Sequence, residues 1–319
     1  MKRCTVGIDT SNYTTSVAVV DEDLKIVANL KYPLPVRQGE CGLRQSDAVF
    51  AHTKNLPIAF RDLAASLVGY RVEAVGVSAK PRNQDGSYMP CFLTGVAAAE
   101  GISAVAGLPC YRFSHQCGHM MAAALGASGA RILSAPFGAF HVSGGTTELV
   151  RAHYVGDGFS CEVVGGSRDL HAGQVIDRIG VMLGLSFSAG PALERLAMSY
   201  TGVLHRHRVS LDGCYCHLSG LENLAKRCYS ETGDPAAVAA FVFCYIGDSL
   251  AGMTEAYLSA YGDMPILYAG GVMSSAILQK RLTGNVDALF APPALSADNA
   301  VGVAALTAYR AFGLSSTYA

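Results

Sequence analysis

The chain has 319 residues, of which 50% are hydrophobic and 15% are charged, and its 24 Lys and Arg nearly balance its 25 Asp and Glu. This length and composition predict two domains, or one large two-lobed domain, with a sizeable core. The formal charge of -1 excludes a broadly basic nucleic-acid-binding surface, although it allows a local basic patch.

The cysteines and the apolar segments indicate the compartment. No two of the ten cysteines form a CxxC pair, and the closest spacing is that of Cys214 and Cys216, so we expect reduced thiols rather than a disulfide framework. Asp9 interrupts the N-terminal apolar run too early for a signal peptide. The apolar stretch at 236–247 is too short to span a bilayer. These features predict a cytoplasmic protein that does not enter the membrane.

The chain opens with a strand–turn–strand–strand pattern. Apolar runs at 4–10, 14–20 and 25–32 are separated by short polar turns. The first run ends in the segment Asp9-Thr-Ser11. A carboxylate at this position could hold a Mg²⁺–phosphate group through water.

The same pattern returns in the middle of the chain, with apolar runs at 139–142, 147–154 and 160–164 and a first turn rich in glycine. A repeat on this scale indicates an internal duplication. Two such units suit two facing lobes that grip a phosphate chain between them, and we expect ATP in that cleft.

Helical periodicity follows each triplet of strands. It is found at 57–67, 94–106, 115–125, 172–183 and 236–261. Strands that alternate with helices predict an α/β protein with helices packed on mixed sheets. We place the first lobe at 1–135 and the second at 136–319, with the C-terminal helix able to pack back on the first lobe.

Two histidines have the spacing of a metal site. His115 and His119 lie at i and i+4, so a helix places both imidazoles on one face, whereas Cys117 points away. The alternative is a pair of half-buried, hydrogen-bonded histidines, and the spacing alone does not separate the two. The segment lacks the glutamate of HExxH, so the general base of a zinc protease is missing.

Asp298 is a plausible third ligand, because two histidines and one carboxylate with open positions suit Zn²⁺ or Fe²⁺. It precedes the apolar helical segment at 300–312. On position alone, Ser296 or Asp298 is more simply the N-cap of that helix.

Glycine-rich turns provide two further candidate sites. The turn Ser143-Gly144-Gly145-Thr146 could cradle phosphate with its backbone N–H groups, or be an ordinary hairpin turn. Gly270 and Gly271 follow a short strand, where bare backbone admits a flat base, or simply a tight turn. Asp177 could bind ribose hydroxyls, although an exposed helical acid is the commoner interpretation.

These motifs occur together, in this order, in one known family. The chain resembles the TsaD family, also called Gcp or O-sialoglycoprotein endopeptidase-like glycoproteases, whose members form N6-threonylcarbamoyladenosine in tRNA. The likeness runs through most of the chain. It is strongest at Gly7 to Ser11, His115 to His119, Val142 to Gly145, Gly173 to Pro191, Leu218 to Leu221, Ala269 to Val272 and Asp298-Asn299.

The resemblance implies the duplicated, two-lobed actin/sugar-kinase/Hsp70 (ASKHA) fold. It implies that His115, His119 and Asp298 bind Fe²⁺ or Zn²⁺, and that Asp9 and Ser11 are catalytic. ATP or threonylcarbamoyl-adenylate, with Mg²⁺, would contact a set of second-lobe residues, namely Val142, Ser143, Gly144, Gly145, Thr146, Gly173, Asp177, Gly190, Gly270, Gly271 and Ser275. The implied partners are tRNA and TsaB-like and TsaE-like proteins.

The chain departs from the family pattern near the expected site of acyl transfer. Asn12-Tyr13-Thr14 stands where the family has Cys-Asp-Glu, so two carboxylates are replaced. A longer, basic segment at 79–86 replaces the GPGL turn, and its Lys80 and Arg82 either contact a different acceptor or are simply solvated. Three smaller changes are Gln174 for Glu, Thr146-Thr147-Glu148 for His-Thr-Gln, and Ser275 for Asn. These changes predict a divergent member.

The alternatives belong to other functional classes. A non-catalytic nucleotide-binding paralogue could regulate or scaffold a true TsaD, although it would not need a three-ligand metal site. A carbamoyltransferase with another acceptor is a further alternative. A metalloprotease would need a base beside His115, and a small-molecule kinase would need an aspartate base in a sugar-pocket motif.

Overall fold

The structure is a computed structural model that describes residues 1–11, 13–35, 43–128, 131–156, 158–203, 207–284, 286–296 and 299–314. Two residues that the sequence singles out, Asn12 and Asp298, lie outside this description. The chain divides into two compact units. The first comprises 1–134, 154–160 and 294–319, and the second comprises 135–153 and 161–293.

The first unit combines a mixed sheet with helices. Its elements are β1 (Lys2–Asp9), β2 (Thr14–Asp21), β3 (Ile26–Pro33), α1 (Gln45–Ser66), β4 (Tyr70–Lys80), α2 (Phe92–Ala106), β5 (Cys110–Ser114), α3 (His115–Ser128) and, near the C-terminus, α10 (Val301–Phe312). The strand order is β3-β2-β1-β4-β5. β1, β2 and β3 are antiparallel neighbours, whereas β4 is parallel to both β1 and β5.

Both faces of this sheet are covered by apolar side chains. Val17, Val19 and Val75 pack with Leu56 and Leu63 of α1, while the opposite face packs against α3 and α10. α10 packs so closely on α3 that a Cβ atom on Gly302 would overlap the carbonyl oxygen of Gly118. This contact fixes the helix that carries both histidines.

The second unit has a larger sheet. Its elements are β6 (Phe137–Val142), β7 (Thr147–Tyr154), β8 (Phe159–Ser167), α4 (Ala172–Met182), α5 (Gly190–Ser199), β9 (Ser210–Asp212), β10 (Tyr215–His217), α6 (Ser219–Thr232), α7 (Pro235–Tyr261), β11 (Ile266–Ala269), α8 (Ala276–Leu282), β12 (Ala288–Phe290) and, across the unit boundary, α9 (Pro293–Ser296). The strand order is β12-β11-β6-β7-β8-β10-β9. β11 is parallel to β6 and to β12, and β7 is antiparallel to β6.

The duplication predicted from the sequence is visible in the sheets. The order β8-β7-β6-β11-β12 in the second unit repeats the order β3-β2-β1-β4-β5 of the first. The ends of β7 and β8 at 154–160 belong to the first unit, and the short strands β9 and β10 extend the repeat at one edge. The α/β class is therefore confirmed.

α7 corresponds to the helix predicted at 236–261. It has 27 residues and is the one described helix long and apolar enough to cross a membrane, so the expectation that the apolar stretch at 236–247 is too short to span a bilayer is wrong on length and composition alone. However, 72% of its most apolar window is buried inside the protein, where Val238, Val242 and Ile246 join the core of the second unit. It is a core helix by its packing.

One other local prediction was wrong. α1 begins at Gln45 rather than near Pro57, because its earlier turns bury Ala48 and His52 and the proline is accommodated inside the helix. Ser296 ends the short helix α9 and is not the N-cap of α10, whereas Asp298, the other candidate, lies outside the described residues. The side chain of Asn299 accepts a hydrogen bond from the Val301 N–H at 3.0 Å.

Candidate functional site

Asp9 lies at the carboxyl end of β1 and is only 1% exposed. One carboxylate oxygen accepts the N–H of Ser11 at 2.9 Å, and the other accepts the hydroxyl of Ser78 and the Nδ1–H of His115, the latter at 2.8 Å. Burial acts to raise the pKa of this carboxyl, but the charge of His115 and the hydrogen bonds from His115, Ser11 and Ser78 outweigh burial and lower it. Asp9 is thus an ionised acceptor.

This acceptor determines the tautomer of His115. A carboxylate oxygen can only accept, so Nδ1 of His115 carries a proton, and whenever the imidazole is neutral its Nε2 presents a lone pair. That Nε2 lies 2.8 Å from Nε2 of His119. The i, i+4 spacing therefore brings the two imidazoles together, as the sequence predicted, and a third residue orients one of them.

The imidazole pair fits a divalent metal ion. Two nitrogen ligands that are each about 2.0–2.1 Å from one tetrahedral ion lie roughly 3.3 Å apart, so the imidazoles, which are within hydrogen-bond distance at 2.8 Å, would move slightly apart to bind it. A carboxylate on the remote ring nitrogen is the usual support of a metal-binding histidine. Within the described ranges, no three His, Cys, Asp or Glu side chains converge as a ligand set, and Asp298, the predicted third ligand, lies outside those ranges.

The turn after β1 is closely held. Thr10 is buried, donates its hydroxyl to the carbonyl of Cys91 at 3.0 Å and accepts the N–H of Gly95 at 3.1 Å, which ties the turn to α2. Ser11 is also buried, and its Oγ has no hydrogen-bond partner in the described part of the chain. These positions leave Asp9 facing protein groups rather than solvent.

The glycine-rich turn of the second unit follows β6. The Ser143 N–H donates to the Thr146 carbonyl at 2.8 Å, which closes the turn, and Val142 is buried below it. Gly144 and Gly145 are exposed, and a Cβ atom on either would meet nothing within 4 Å. Their backbone is therefore open to an incoming group from the outer side.

Two backbone segments approach this turn closely. The Gly173 N–H in the first turn of α4 donates to the Ser143 carbonyl at 3.2 Å, and a Cβ on Gly173 would lie 2.7 Å from the Gly144 nitrogen. Gly270 has φ +100 and would strike the Val142 carbonyl if it carried a side chain. Because β6 and β11 are parallel, both turns lie at the carboxyl edge of one sheet, where open α/β sheets bind ligands.

Asp177 and Gly190 are joined by the packing of α4 on α5. The Asp177 carboxylate accepts the Ala189 N–H at 2.7 Å, immediately before Gly190 begins α5. Asp177 is half-buried, so it is not the freely exposed acid that position alone suggested. Gly190 leaves open space, with its nearest neighbour, Ile176, 3.9 Å from a built Cβ.

Ser275 is held by Glu194, which no sequence motif singles out. Its hydroxyl donates to Glu194 of α5 at 2.7 Å, and the same carboxylate oxygen accepts the Ile277 N–H at 3.2 Å. Gly271, exposed and without a neighbour within 4 Å of a built Cβ, lies just before this group. The sequence feature that could have identified Glu194 is an acidic residue four positions after Gly190 in α5, where it contacts the start of α8.

The structure thus brings the candidates together in two groups. One group, in the first unit, is the chain Asp9–His115–His119 with Ser78. The other, in the second unit, is the Ser143 turn with the N-terminus of α4 and the Gly270 turn, to which α5 connects through Asp177 and Glu194. The N-terminus of α4 next to exposed glycine backbone favours an anion.

A family model for tRNA N6-adenosine threonylcarbamoyltransferase, named TsaD, matches residues 39–305. The chain belongs to the TsaD family. The resemblance read from the motifs is therefore confirmed, and a transferase of the threonylcarbamoyltransferase type is the function that this family indicates.

Individual relatives agree with the family assignment. The chain is 28% identical over 324 residues to a tRNA N6-adenosine threonylcarbamoyltransferase of Streptococcus suis (strain 05ZYH33), covering 97% of this chain and 93% of the relative. It is equally 28% identical to the enzyme of the same name from Bacillus licheniformis, over 94% and 89% of the two chains.

Solved structures confirm the ASKHA fold. Full-length HypF in a phosphate- and nucleotide-bound form superposes with a TM-score of 0.61 at 10% identity, covering 96% of this chain and 55% of HypF. Component A of the (R)-2-hydroxyglutaryl-CoA dehydratase of Acidaminococcus fermentans gives 0.54 at 14% identity, over 98% and 99%.

Proposed function

We propose that this chain is a metal-dependent threonylcarbamoyltransferase that takes the acyl group from threonylcarbamoyl-adenylate and transfers it to N6 of an adenosine in tRNA. In this reaction the N6 nitrogen forms a bond to the carbamoyl carbon, the bond from that carbon to the phosphate oxygen of the adenylate breaks, AMP leaves with the electron pair, and the N6 proton passes to solvent.

The Asp9–His115–His119 chain carries this proposal. His115 and His119 would hold Fe²⁺ or Zn²⁺, with Asp298 as a third ligand, and the ion would supply Lewis-acid polarisation of the donor. Asp9 is a positioning residue, because it fixes the tautomer in which Nε2 of His115 presents a lone pair toward His119. A scaffold protein has no need of a buried carboxylate oriented toward a histidine pair.

The second unit would bind the donor. The exposed backbone of Gly144 and Gly145, beside the N-terminus of α4, suits the phosphate of the adenylate. Asp177 and Gly190 would contact the nucleoside, and Ser275 with Glu194 would line the base side. Thr146, Gly173, Gly270 and Gly271 shape the backbone of this region, and ATP would bind in the same place as the adenylate.

The chain should be a slow member of its family. Tyr13, which replaces a family carboxylate, is 42% exposed, and its phenol, with an ordinary pKa near 10, is a poor base at neutral pH. Loss of a general base costs about 10²–10⁴-fold in rate. With Thr14 also lacking a carboxylate, no acid at these two positions can receive or steer the N6 proton.

Partner proteins of the TsaB and TsaE type are part of this proposal. The first unit exposes Phe50 and Ile58 on α1 and Leu93 on α2, which are 67%, 41% and 53% exposed. Large apolar side chains on adjacent helices suit a protein partner. Activity should therefore be measured with and without such partners.

The test combines metal analysis with donor turnover. We expect the purified protein to carry a stoichiometric transition metal, and to release AMP from threonylcarbamoyl-adenylate only when tRNA is present. A metal-free protein that binds the adenylate but releases no AMP would instead be the non-catalytic paralogue. If His119→Ala loses the metal but still binds the adenylate, metal binding belongs to the histidine pair and donor binding to the second unit.

A further inference from the structure

A small polar pocket opens at the carboxyl ends of β4 and β5 in the first unit. Its volume is about 180 Å³, room for several water-sized groups. The pocket is lined by Ala79, Lys80, Asn83, Arg112, Phe113, Ser114 and Cys117. It includes the start of the basic segment that replaces the GPGL turn of the family, and none of its lining residues is a metal ligand or a donor-binding residue in the proposal above.

The pocket has a positive character. Lys80 ends β4 and is half-buried; its backbone pairs with Ser114 of β5, but its side chain makes no ion pair or hydrogen bond with any residue that the structure describes. Arg112 is ion-paired to Glu100, which is not a lining residue. The pocket is therefore lined by two cations and by no carboxylate, and a half-buried lysine whose side chain has no counter-ion favours an anion.

The walls of the pocket are held in place before any ligand arrives. The Gln116 N–H donates to the Pro81 carbonyl at 3.0 Å, which ties the loop after β4 to the first turn of α3. The Asn83 amide donates to the Cys117 sulfur at 3.3 Å, and the Arg82 N–H donates to the Ser87 hydroxyl at 3.0 Å. A preformed pocket loses little entropy when it binds.

The pocket also lies beside the start of α3. Ser114 lines the pocket and precedes His115, and Cys117 lines it from a position that points away from the imidazole pair. Helix N-termini favour negative charge. Because Ser114 directly precedes His115, a group bound here would lie close to the start of the helix that carries both histidines.

We propose that this pocket binds a backbone phosphate of the acceptor RNA, with Lys80 as its principal contact. The chain carries a formal charge of -1, so it must hold a polyanion through local sites rather than through its overall charge. That the acceptor is RNA rests on the proposed function. The proposal gives the basic segment at 79–86, which replaces the GPGL turn of the family, the role of positioning that RNA.

The experiment measures binding of unmodified tRNA, without donor, to the full-length protein and to Lys80→Gln across about 50–200 mM salt. We expect the slope of log affinity against log salt to fall in magnitude by about 0.7–0.9, the value of one phosphate contact, and the affinity at about 0.1 M salt to fall roughly 5- to 10-fold. Lys80→Arg should retain the slope. Lys25→Gln, which removes an exposed lysine in the turn between β2 and β3 and outside the pocket, should match the wild type.

An unchanged slope in Lys80→Gln, or no tRNA binding by the wild type, would overturn the assignment. In a second arm, inorganic phosphate is titrated into both proteins by calorimetry. Phosphate binding that depends on Lys80, together with an unchanged tRNA slope, would assign the pocket to a small phosphorylated ligand and refute the RNA contact. Because no donor is present, failure of acyl transfer leaves this test intact, whereas a transfer-competent protein with an unchanged slope refutes this inference alone.

Discussion

Replacing Asp9 with Asn should weaken metal binding although Asp9 need not touch the ion. The substitution keeps the shape of the side chain but converts one carboxylate oxygen into an amide that can only donate. The amide nitrogen should replace the oxygen that faces Ser78 and Nδ1 of His115, because the remaining oxygen can then still accept the Ser11 N–H. An amide facing Nδ1 forces His115 to accept there, so its proton moves to Nε2.

That change removes the lone pair that would bind the metal. Loss of an outer carboxylate behind a metal-binding histidine typically costs about 10–100-fold in metal affinity, which corresponds to about 1.4–2.7 kcal/mol. We expect the upper half of this range, because Asp9 is 1% exposed and solvent cannot replace its contact. His115→Ala, which removes the ligand itself, should lose the metal altogether.

The assay is competition with a chelator, followed by elemental analysis, on the wild type, Asp9→Asn and Asp21→Asn. Asp21 is a matched control, because it is a buried aspartate at the end of β2 that accepts the N–H groups of Asp23 and Lys25. Nitrogen-15 NMR of the imidazoles gives a second readout, with the His115 proton on Nδ1 in the wild type and on Nε2 in Asp9→Asn. Equal metal affinity in Asp9→Asn and the wild type, with an unchanged tautomer, would refute the reasoning.

Three further predictions concern the second unit. Gly145→Val should abolish calorimetric binding of ATP or the adenylate, because a Cβ atom at this position meets no heavy atom within 4 Å and the added side chain would stand where the ligand approaches. Gly101→Val, where a Cβ atom is equally open, should bind normally. Ser275→Ala should weaken nucleoside binding by about 0.5–1.5 kcal/mol, since it removes the hydrogen bond that holds Glu194, while leaving metal content unchanged. Asp169→Asn should destabilise the protein by about 1 kcal/mol at neutral pH, since Asp169 accepts the N–H groups of the first turn of α6.

The last of these has a pH dependence with a definite sign. Burial acts to raise the pKa of Asp169, but hydrogen bonds from Ser219 and from the Leu218 and Leu170 N–H groups lower it to about 2. Because the folded-state pKa is depressed, this stabilisation is fully present above about pH 4 and is lost as the pH falls toward 2. Urea midpoints of the wild type and Asp169→Asn should therefore converge on acidification, and a gap that is constant from neutral pH to about pH 2 would contradict the assignment.

For the other two predictions, the refuting results are equally direct. Unchanged ATP affinity in Gly145→Val would exclude the Ser143 turn as the phosphate site. A Ser275→Ala protein with wild-type nucleoside affinity would show that Glu194 is held by the Ile277 N–H alone.

Much of the fold could be predicted from the sequence because its elements follow from short-range patterns. The two strand triplets and the i, i+4 histidines depend on local periodicity, which a single sequence shows directly. The two sheets repeat the same strand order, and the helix bounds at 115 and 172 agree with those predicted. The full length of α1 was missed because Pro57 resembles a helix start, whereas burial of Ala48 and His52 extends the helix before it.

The support of the candidate site was harder to foresee. Asp9 was recognised as a phosphate-side acid, but its contact with His115 joins residues 106 apart in sequence, and no local pattern reports such a pair. Ser78 and Glu194 were not selected for the same reason, since each matters only through the strand or helix that the fold places beside it. Family motifs give the positions of functional residues, while the contacts give their roles.

The most direct test of the proposed function is to measure the modified nucleoside itself. The pure protein is incubated with threonylcarbamoyl-adenylate and unmodified tRNA, with and without TsaB- and TsaE-like partners, and N6-threonylcarbamoyladenosine is quantified by mass spectrometry. We predict formation about 10²–10⁴-fold slower than by a relative that has both carboxylates, none in His115→Ala, and a gain in rate in the double variant Tyr13→Asp with Thr14→Glu. Absence of the product from the wild type and from the double variant, in the presence of bound metal and partners, would contradict the assignment of this chain as a threonylcarbamoyltransferase acting on tRNA.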